Sequence, residues 1–482
     1  MATAIPENVA PFSLDELALA TGGVWVHRGE RGALGVSTDT RGTLLGKAFV
    51  ALVGERFDGH DWVKTAAESG ASSVVVERDV PTLPSDVSVL RVSSTLHALG
   101  ALARFHRRRW GRRVVAIAGS AGKTTTRSTV GALLETLLPG RVHATRGNLN
   151  NRIGLPLTLL GVTDAHEVCV LEVGTNSTGE VPTLAAVCEP NVSVLTLIDL
   201  EHSEGLGDLD AIEVEEGALL RAVPADGAVV GNADDLRVRR QLAQARAATK
   251  LGYGAAEGAA YRIVSRRPRG VFGAEVVVER AARPLNAPTT IAFECPLLGE
   301  PGALAATAAL AVAEEVTGRS VDASTLADAL RRVGEAGRLA LVVLGDGAWV
   351  LDDSYNANPA SVKKSIETAR ELAAERGGGL WLVLGEMREL GAASAAEHEK
   401  MGVLASESGA LGFFAVGGDA RLSAEAAEAR GMKTWFFEDA EAVCAPLSSL
   451  LAPEDVLVVK ASRGVRAERV VEGLVRARGR SE

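Results

Sequence analysis

Short apolar runs recur along this chain, separated by longer stretches in which apolar residues return at helical spacing. In the first part of the chain the runs KAFVAL, SVVVE and SVLRV predict strands, and HDWVKTAAESGA predicts a helix. Strands that are apolar throughout are typical of sheets covered by helices on both faces. The pattern therefore predicts an α/β fold.

The order of these elements divides the 482 residues into three predicted domains. The first, 1–108, is α/β. The second, 109–318, opens with the strand VVAIAG and closes with the helical stretch PGALAATAALAVAEEVTG. The third, 319–482, has strands at AWVLDD, LWLVLGE, LGFFAVG and DVLVVKAS with helices between them, which is typical of a Rossmann-like sheet. No G-x-G-x-x-G follows a strand there, so a dinucleotide site is unsupported.

Composition and charge narrow the class of protein. Hydrophobic residues make up 47% of the chain, enough for several cores, and the net charge of -10 argues against a nucleic-acid partner. The four cysteines are scattered, which argues against a zinc ribbon or a disulfide scaffold and fits a reducing cytosol. We find no signal-peptide pattern and no apolar run near the ~20 residues of a membrane helix. A cytoplasmic protein with no membrane partner is therefore expected.

A glycine-rich loop lies between the strand VVAIAG and the helix TTRSTVGALLETLL. It is shorter than the usual G-x-x-x-x-G-K-[ST] loop, because Ile117 stands where the first glycine is expected. Backbone N–H groups and the helix dipole bind phosphate oxygens in such a loop, while Lys123 supplies charge and Thr124 a hydroxyl for Mg²⁺. The predicted nucleotide contacts are Gly119, Ser120, Ala121, Gly122, Lys123, Thr124 and Thr125.

Polar residues also follow two later strands. Glu172 ends EVCVLEVG and His202 lies just beyond VSVLTLID, which makes both candidate metal ligands. The stretch TRGNLNNRIG, 145–154, places three asparagines in four positions. Their amides suit polar substrate groups, although the stretch taken alone favours a simple turn.

Taken together, these motifs resemble the Mur ligase family, the ATP-dependent amide ligases of peptidoglycan precursor synthesis. The likeness covers nearly the whole chain. The segments at 37–62, 145–160 and 351–361 are similar to those of the member that adds D-alanyl-D-alanine to UDP-N-acetylmuramoyl-tripeptide, and LVLGEMRELG and VVKASRG support this. The Asp-Asn-Pro-Arg motif of the ligase that adds a diamino acid is absent.

The resemblance implies a UDP-sugar-binding N-terminal domain, a central P-loop-type ATPase domain and a C-terminal Rossmann-like domain in a monomer that uses ATP and Mg²⁺. ATP would phosphorylate the tripeptide carboxylate, and the dipeptide amine would attack the acyl phosphate. The implied catalytic residues are Lys123, Glu172, His202 and Arg338, with Arg338 and Asp353 also on the nucleotide. The implied metal ligands are Thr124, Glu172, His202 and Glu216. The implied substrate contacts are Asp39, Arg41, Asn148, Asn151, Tyr355, Asn356 and Asn358.

The sequence departs from the family at three places. Glu216 stands where a lysine, often carbamylated, is expected; it either replaces the carbamate or leaves the site impaired. Pro301 and Ala305 replace a histidine and an asparagine near adenine, and Leu197 replaces an asparagine. Two alternatives stay open: a ligase for another amine or acid, and a non-catalytic paralogue that binds nucleotide and sugar.

Overall fold

Three open sheets succeed one another along the chain in a computed structural model that describes residues 5–55, 57–281 and 289–480. The first sheet has five strands, the second nine and the third six. Helices lie between the strands, which confirms the predicted α/β fold. Within these described ranges, no helix is both long and apolar enough to cross a lipid bilayer.

The N-terminal sheet has the strand order β2-β9-β8-β5-β4 and is mainly parallel, with only β2 antiparallel to its neighbour. The capping box of Ser13 and Glu16 begins the first helix. The elements are β1 (Pro11–Phe12), α1 (Leu14–Thr21), β2 (Val24–His27), β3 (Ala33–Leu34), β4 (Val36–Ser37), β5 (Ala48–Val50), β6 (Val53–Gly54), β7 (Phe57–Asp58), α2 (Val63–Glu68), β8 (Ser73–Val76), β9 (Ser88–Arg91) and α3 (Thr95–Trp110).

The central sheet has the order β11-β12-β10-β13-β14-β15-β16-β17-β18, and its last three strands form an antiparallel extension. The elements are β10 (Arg113–Ala118), α4 (Lys123–Leu137), β11 (Val142–Ala144), α5 (Gly154–Leu160), β12 (Val168–Glu172), α6 (Glu180–Cys188), β13 (Val192–Leu195), α7 (Ser203–Leu206), α8 (Leu209–Arg221), β14 (Ala228–Asn232), α9 (Leu236–Gln244), β15 (Thr249–Gly254), β16 (Tyr261–Pro268), β17 (Ala274–Arg280), β18 (Thr289–Cys295), α10 (Gly299–Thr317) and α11 (Ala323–Leu330).

The C-terminal sheet has the order β19-β20-β24-β21-β22-β23 and is parallel except at β19. The elements are β19 (Ala340–Val343), β20 (Trp349–Asp352), α12 (Pro359–Arg376), β21 (Leu380–Gly385), α13 (Ser394–Glu407), β22 (Gly412–Val416), α14 (Ala420–Glu428), β23 (Thr434–Phe437), α15 (Cys444–Leu450), β24 (Val456–Lys460) and α16 (Glu468–Arg478). Short 3₁₀ turns span Gly59–Trp62, Gly270–Phe272, Gly391–Ala393, Glu441–Val443 and Arg463–Val465.

Helix α3 joins the N-terminal and central sheets into one hydrophobic core. Its Leu99 and Leu102 are buried in a cluster that includes Leu17 of α1 and Leu155 of α5. The basic run at 104–113 covers the last turns of α3 and continues to the first residue of β10, and Arg108 within it pairs with Glu189 of the central part. Helix α11 lies beyond residue 318, yet its apolar side chains pack in the core of the central sheet.

Strand β10 lies between β12 and β13, and all three are parallel. Their carboxyl ends therefore meet at one edge of the sheet, where α/β proteins place their ligands. The glycine-rich loop follows β10, Glu172 ends β12, and the segment leading to His202 follows β13. This topology brings Gly119 and His202, which are 83 positions apart in the sequence, to the same edge of the sheet.

Candidate active site

The loop after β10 is held against the end of β13 by backbone and hydroxyl contacts. The N–H of Ser120 donates to the carbonyl of Leu197 at 2.7 Å, and the Thr196 hydroxyl donates to the carbonyl of Ala121 at 2.6 Å. Gly119 has φ of 126°, and a Cβ there would lie 2.3 Å from the Thr196 hydroxyl oxygen. Only glycine fits, so the close approach of the loop to β13 explains this residue.

Lys123 begins α4, and its ammonium group turns back toward the loop. Nζ donates to the carbonyl of Gly119 and to both carboxylate oxygens of Glu201, at 3.1 and 3.2 Å. Burial opposes its charge, but Glu201, Glu216 and Glu172 together outweigh that effect and raise the pKa of Lys123. Lys123 is therefore charged and lies among acidic side chains.

Glu216 lies on α8 beneath the loop and is completely buried. Its Oε2 accepts the N–H of Gly119 at 2.8 Å, whereas its Oε1 has no hydrogen-bond partner. Burial raises the pKa of Glu216, and it raises the pKa of neighbouring Glu201 well above the usual range. The charge of Glu216 adds to the effect of burial on Glu201, whereas the charge of Lys123 favours the ionised form of both carboxyl groups.

Glu201 is a member of this cluster that sequence analysis missed. It directly precedes His202, a predicted ligand, and that adjacency was the available signal. Its carboxylate is the partner of Lys123, a contact that spans 78 residues and depends on the order of the strands.

Glu172, at the end of β12, is almost wholly buried. Its Oε1 accepts from the Asn150 amide at 2.8 Å, and its Oε2 lies 3.6 Å from Nε of Arg127, without a hydrogen bond. The structure thus gives a hydrogen bond to Glu172 from Asn150, which was not among the predicted substrate contacts. The Asn151 side chain instead accepts the N–H groups of Ile153 and Gly154, at 3.1 and 2.9 Å, at the start of α5.

Arg127 also anchors the segment that leads into the C-terminal sheet. Its guanidinium donates to Glu335 at 2.9 Å, and the Ser128 hydroxyl donates to the same carboxylate. Three residues later, Arg338 stacks on the ring of Tyr355 at 4.1 Å from the centroid. The structure thus places Arg338, a predicted catalytic residue, in direct contact with Tyr355, a predicted substrate contact.

Asp353 is engaged by buried protein groups. It forms an ion pair with Lys460 at 2.5 Å and accepts the N–H of Leu339 at 3.1 Å and the Ser365 hydroxyl. Lys460, in the VVKASRG segment, also donates to the backbone carbonyl of Asn356 at 2.8 Å. Burial lowers the pKa of Lys460, although Asp353 opposes this shift. Lys460 was not among the predicted site residues, and it fixes the loop that carries several of them.

Asn358 connects the C-terminal sheet to the glycine-rich loop. Its amide nitrogen donates to the carbonyl of Ser120 at 3.0 Å, while its Oδ1 accepts the N–H of Ser361 and caps α12. One side chain therefore performs two separable tasks, one through its donor and one through its acceptor.

Asn358→Asp should separate these two tasks. The aspartate keeps the cap but cannot donate to Ser120, so we expect turnover to fall about tenfold, consistent with loss of one positioning hydrogen bond of ~1.4 kcal/mol, with Tm unchanged. Asn358→Ala should lose the cap as well and destabilise the chain by ~1 kcal/mol. Steady-state kinetics and thermal unfolding of both variants check this. Equal turnover of the Asp variant and the original chain would contradict a role for the Ser120 contact.

The predicted pair near the N-terminal sheet forms its own local contact. Arg41 donates to Asp39 through Nε at 2.9 Å and through Nη2 at 2.6 Å. The Arg41 side chain is 88% exposed, and its hydrogen bonds lower the pKa of Asp39. The two side chains therefore act as one unit at an open surface.

His202 lies at the start of α7 with a left-handed backbone, φ 46°. Burial lowers the pKa of His202, and the Lys123 charge acts in the same direction. The imidazole is therefore neutral near pH 7, the form that binds metals. On its other side it contacts Glu389 of the C-terminal sheet.

The predicted metal ligands do not form a ready-made cage. Across residues 5–55, 57–281 and 289–480, no three His, Cys, Asp or Glu side chains are grouped as a metal site. Mg²⁺ is usually held by one or two carboxylates together with phosphates and water. The buried, unpartnered oxygens of Glu172 and Glu216 fit that mode of binding.

A cleft of about 440 Å³ separates the start of α10 from α12. Pro301 lies on its wall, while Ala305 is buried in the next turn of α10. Charged side chains of both signs line the rest of the cleft, among them Arg266, Glu300, Lys364 and Glu371. Arg266 pairs with Glu371, and Lys364 pairs with Glu300 at 2.6 Å, so these pairs cross between the central and C-terminal sheets.

Family models match three successive parts of the chain. Residues 34–107 match "Mur ligase family, catalytic domain", 117–313 match "Mur ligase middle domain" and 337–463 match "Mur ligase, glutamate ligase domain".

Whole proteins match over most of their length. The UDP-N-acetylmuramoyl-tripeptide–D-alanyl-D-alanine ligase of Bacillus subtilis is 32% identical, over 92% of this chain and 93% of that protein. A crystal structure of MurF from Acinetobacter baumannii aligns with a TM-score of 0.85 and 26% identity, covering 97% of this chain and all of that one. MurF from Thermotoga maritima in complex with ADP aligns with a TM-score of 0.78 and 26% identity, over 92% and 97% of the two chains.

Proposed function

The chain belongs to the Mur ligase family, and from this we propose that it joins D-alanyl-D-alanine to UDP-N-acetylmuramoyl-tripeptide at the expense of ATP. The observation that carries the proposal is the loop at 119–125, built at the same sheet edge as Glu172 and His202 in a chain about 30% identical to ligases of that name. We place the reaction in the cytoplasm, where ATP and UDP-sugars are found, and in a monomer.

The loop and Lys123 bind the triphosphate. The N–H groups at the start of α4 face the phosphates, and Lys123 leaves Glu201 to neutralise the charge that develops on the transferred group. The Ser120 carbonyl and the Asn358 amide link the loop to the C-terminal sheet, so nucleotide binding and domain position depend on each other.

Mg²⁺ would be held by Thr124 and Glu172 at one position and by His202 and Glu216 at another, where it would neutralise phosphate charge and the acceptor carboxylate. Thr124 and Glu172 lie at the loop, and Asn150 orients Glu172 through a 2.8 Å hydrogen bond. The anion of Glu216 stands where the family has a carbamate, and its unpartnered Oε1 supports that role.

The acceptor carboxylate attacks the γ-phosphorus and becomes an acyl phosphate, with ADP as leaving group. The dipeptide amine then attacks the acyl carbon, loses a proton, and expels phosphate as the amide forms. Arg338 is proposed to bind phosphate oxygens, while Tyr355 supports its guanidinium. Asp39, Arg41, Asn148, Asn151, Asn356 and Asn358 are proposed as contacts to the sugar-peptide, and Asp353 as a contact to the nucleotide.

Phosphate release tests this function directly. We expect release from ATP only when sugar-tripeptide and D-alanyl-D-alanine are both present, with a product heavier by one dipeptide in the mass spectrum. Omission of each substrate in turn is the control. Binding of nucleotide without turnover would instead favour a non-catalytic paralogue, and turnover with a different amine would favour another substrate.

A further inference from the structure

A loop of the C-terminal sheet, residues 386–391, lies directly on the segment that carries His202. The carboxylate of Glu389 lies in direct contact with Nδ1 of His202, at an angle that does not form an aligned hydrogen bond. The Ser203 hydroxyl donates to the carbonyl of Leu390 at 2.9 Å, and the N–H of Glu204 donates to the carbonyl of Glu389 at 3.1 Å. Three adjacent contacts thus fix this loop on the central sheet.

Both sides of this contact have a backbone that side chains rarely adopt. His202 has φ of 46° and Glu389 has φ of 66°, in the left-handed region. Such a conformation is unfavourable for a non-glycine residue and persists only where neighbouring contacts hold it. The contacts made by Ser203 and Glu204 supply that hold, so the meeting of Glu389 with His202 is built into both loops.

We propose that Glu389 is a positioning residue for His202. Its carboxylate accepts a hydrogen bond from the protonated Nδ1, which leaves the lone pair of Nε2 for the metal ion. The inference rests on the metal role of His202 proposed above. A histidine that binds metal commonly donates its other N–H to a carboxylate, which fixes the tautomer and the ring orientation. The Glu389 side chain is 57% exposed, so it has room to rotate toward Nδ1.

The position of Glu389 in the chain has a consequence for regulation of the site. Glu389 belongs to the C-terminal sheet, whereas His202 belongs to the central one. The tautomer that binds metal is therefore favoured only when the two sheets are docked. Linkage makes the effect reciprocal: metal binding favours docking by the same factor as docking strengthens metal binding.

The test compares the full chain with Glu389→Ala and Glu389→Gln. In ¹⁵N-histidine spectra, with His202 assigned by its loss in His202→Gln, we expect the proton on Nδ1 in the unmodified chain and on Nε2 in Glu389→Ala. With ADP present, we expect the Kd for Mn²⁺ to rise about tenfold to a hundredfold in Glu389→Ala. Glu389→Gln, which keeps an acceptor oxygen but no charge, should lie between the two.

Glu386→Gln is the matched control, because Glu386 lies in the same loop and contacts Arg388 at 2.8 Å. It should leave both readouts unchanged. A proton on Nε2 of His202 in the unmodified chain, or a Kd for Mn²⁺ in Glu389→Ala within twofold of the original, would overturn the inference. If the proposed function itself is wrong, the unmodified chain will show no ligation, and that result is separate from the two readouts above.

Discussion

Replacing Lys123 by methionine should lower the rate of phosphate release at least about a thousandfold, equivalent to ~4 kcal/mol of transition-state stabilisation. Methionine preserves much of the length of the side chain but removes the ammonium group that neutralises the transferred phosphoryl group. Because the substitution removes a group that acts in the chemical step and leaves the fold intact, the KM for ATP should change less than kcat. Steady-state kinetics of Lys123→Met measure both quantities.

Two controls accompany this variant. Lys64→Met removes a lysine of helix α2 whose side chain is 73% exposed, and it should leave the rate unchanged. Lys123→Met leaves Glu201 and Glu216 without their cation, so the double variant Lys123→Met/Glu201→Gln should be more stable than the single one and equally inactive. Recovery of activity in the double variant would show that charge balance, rather than phosphate binding, is what Lys123 provides.

Glu216→Lys should destabilise the chain by about 3–5 kcal/mol when carbon dioxide is excluded. The position is fully buried, the new ammonium group would face Lys123, and the N–H of Gly119 would lose its acceptor. Added bicarbonate should reverse the effect, because carbamylation forms an N–C bond on the lysine, releases a proton and restores an anion. Thermal unfolding and phosphate release with and without bicarbonate measure the recovery.

Glu216→Gln is the matched comparison for this experiment. Glutamine accepts the N–H of Gly119 but has neither charge nor a reactive amine, so its response should be independent of bicarbonate. If Glu216→Gln turns over at the original rate, the carboxylate does not replace the carbamate. If bicarbonate changes neither the stability nor the rate of phosphate release of Glu216→Lys, this position cannot hold a carbamate in this chain.

The order of apolar runs and the glycine-rich loop were sufficient to predict the α/β fold and the loop itself. Strands such as VVAIAG are apolar on both faces, so the residues of the strand alone indicate that it is buried. The spacing of the glycines indicates a loop backbone that can bind phosphate. The antiparallel extension β16–β18 was not predicted. Strand β16 has a single buried residue and three arginines, and only β17 and β18 alternate buried residues with more exposed ones, so this region lacks the continuous apolar runs that marked the other strands.

The polar contacts of the site were less predictable than its location. Glu201 and Lys460 are single charged residues whose partners lie 78 and 107 positions away. Nothing in their neighbouring residues indicates those partners, because the strand order decides which ends meet. Asn150 and Asn151 are adjacent in the sequence, yet one orients Glu172 and the other caps α5, and only the backbone direction of the turn separates these tasks.

The shared core around α3 limits how this protein can be recombined with its relatives. Leu99 and Leu102 pack with side chains of both the N-terminal and central sheets, and Arg107 donates to the carbonyl of Cys188 at 3.0 Å. A chimera joined between α3 and β10 would therefore cut through a continuous interior rather than through a linker. Exchange of the N-terminal part between ligases would succeed only if α3 is transferred together with the surfaces of α5 and α6 on which it packs. The C-terminal sheet, whose cores are largely its own, is the portion suited to exchange.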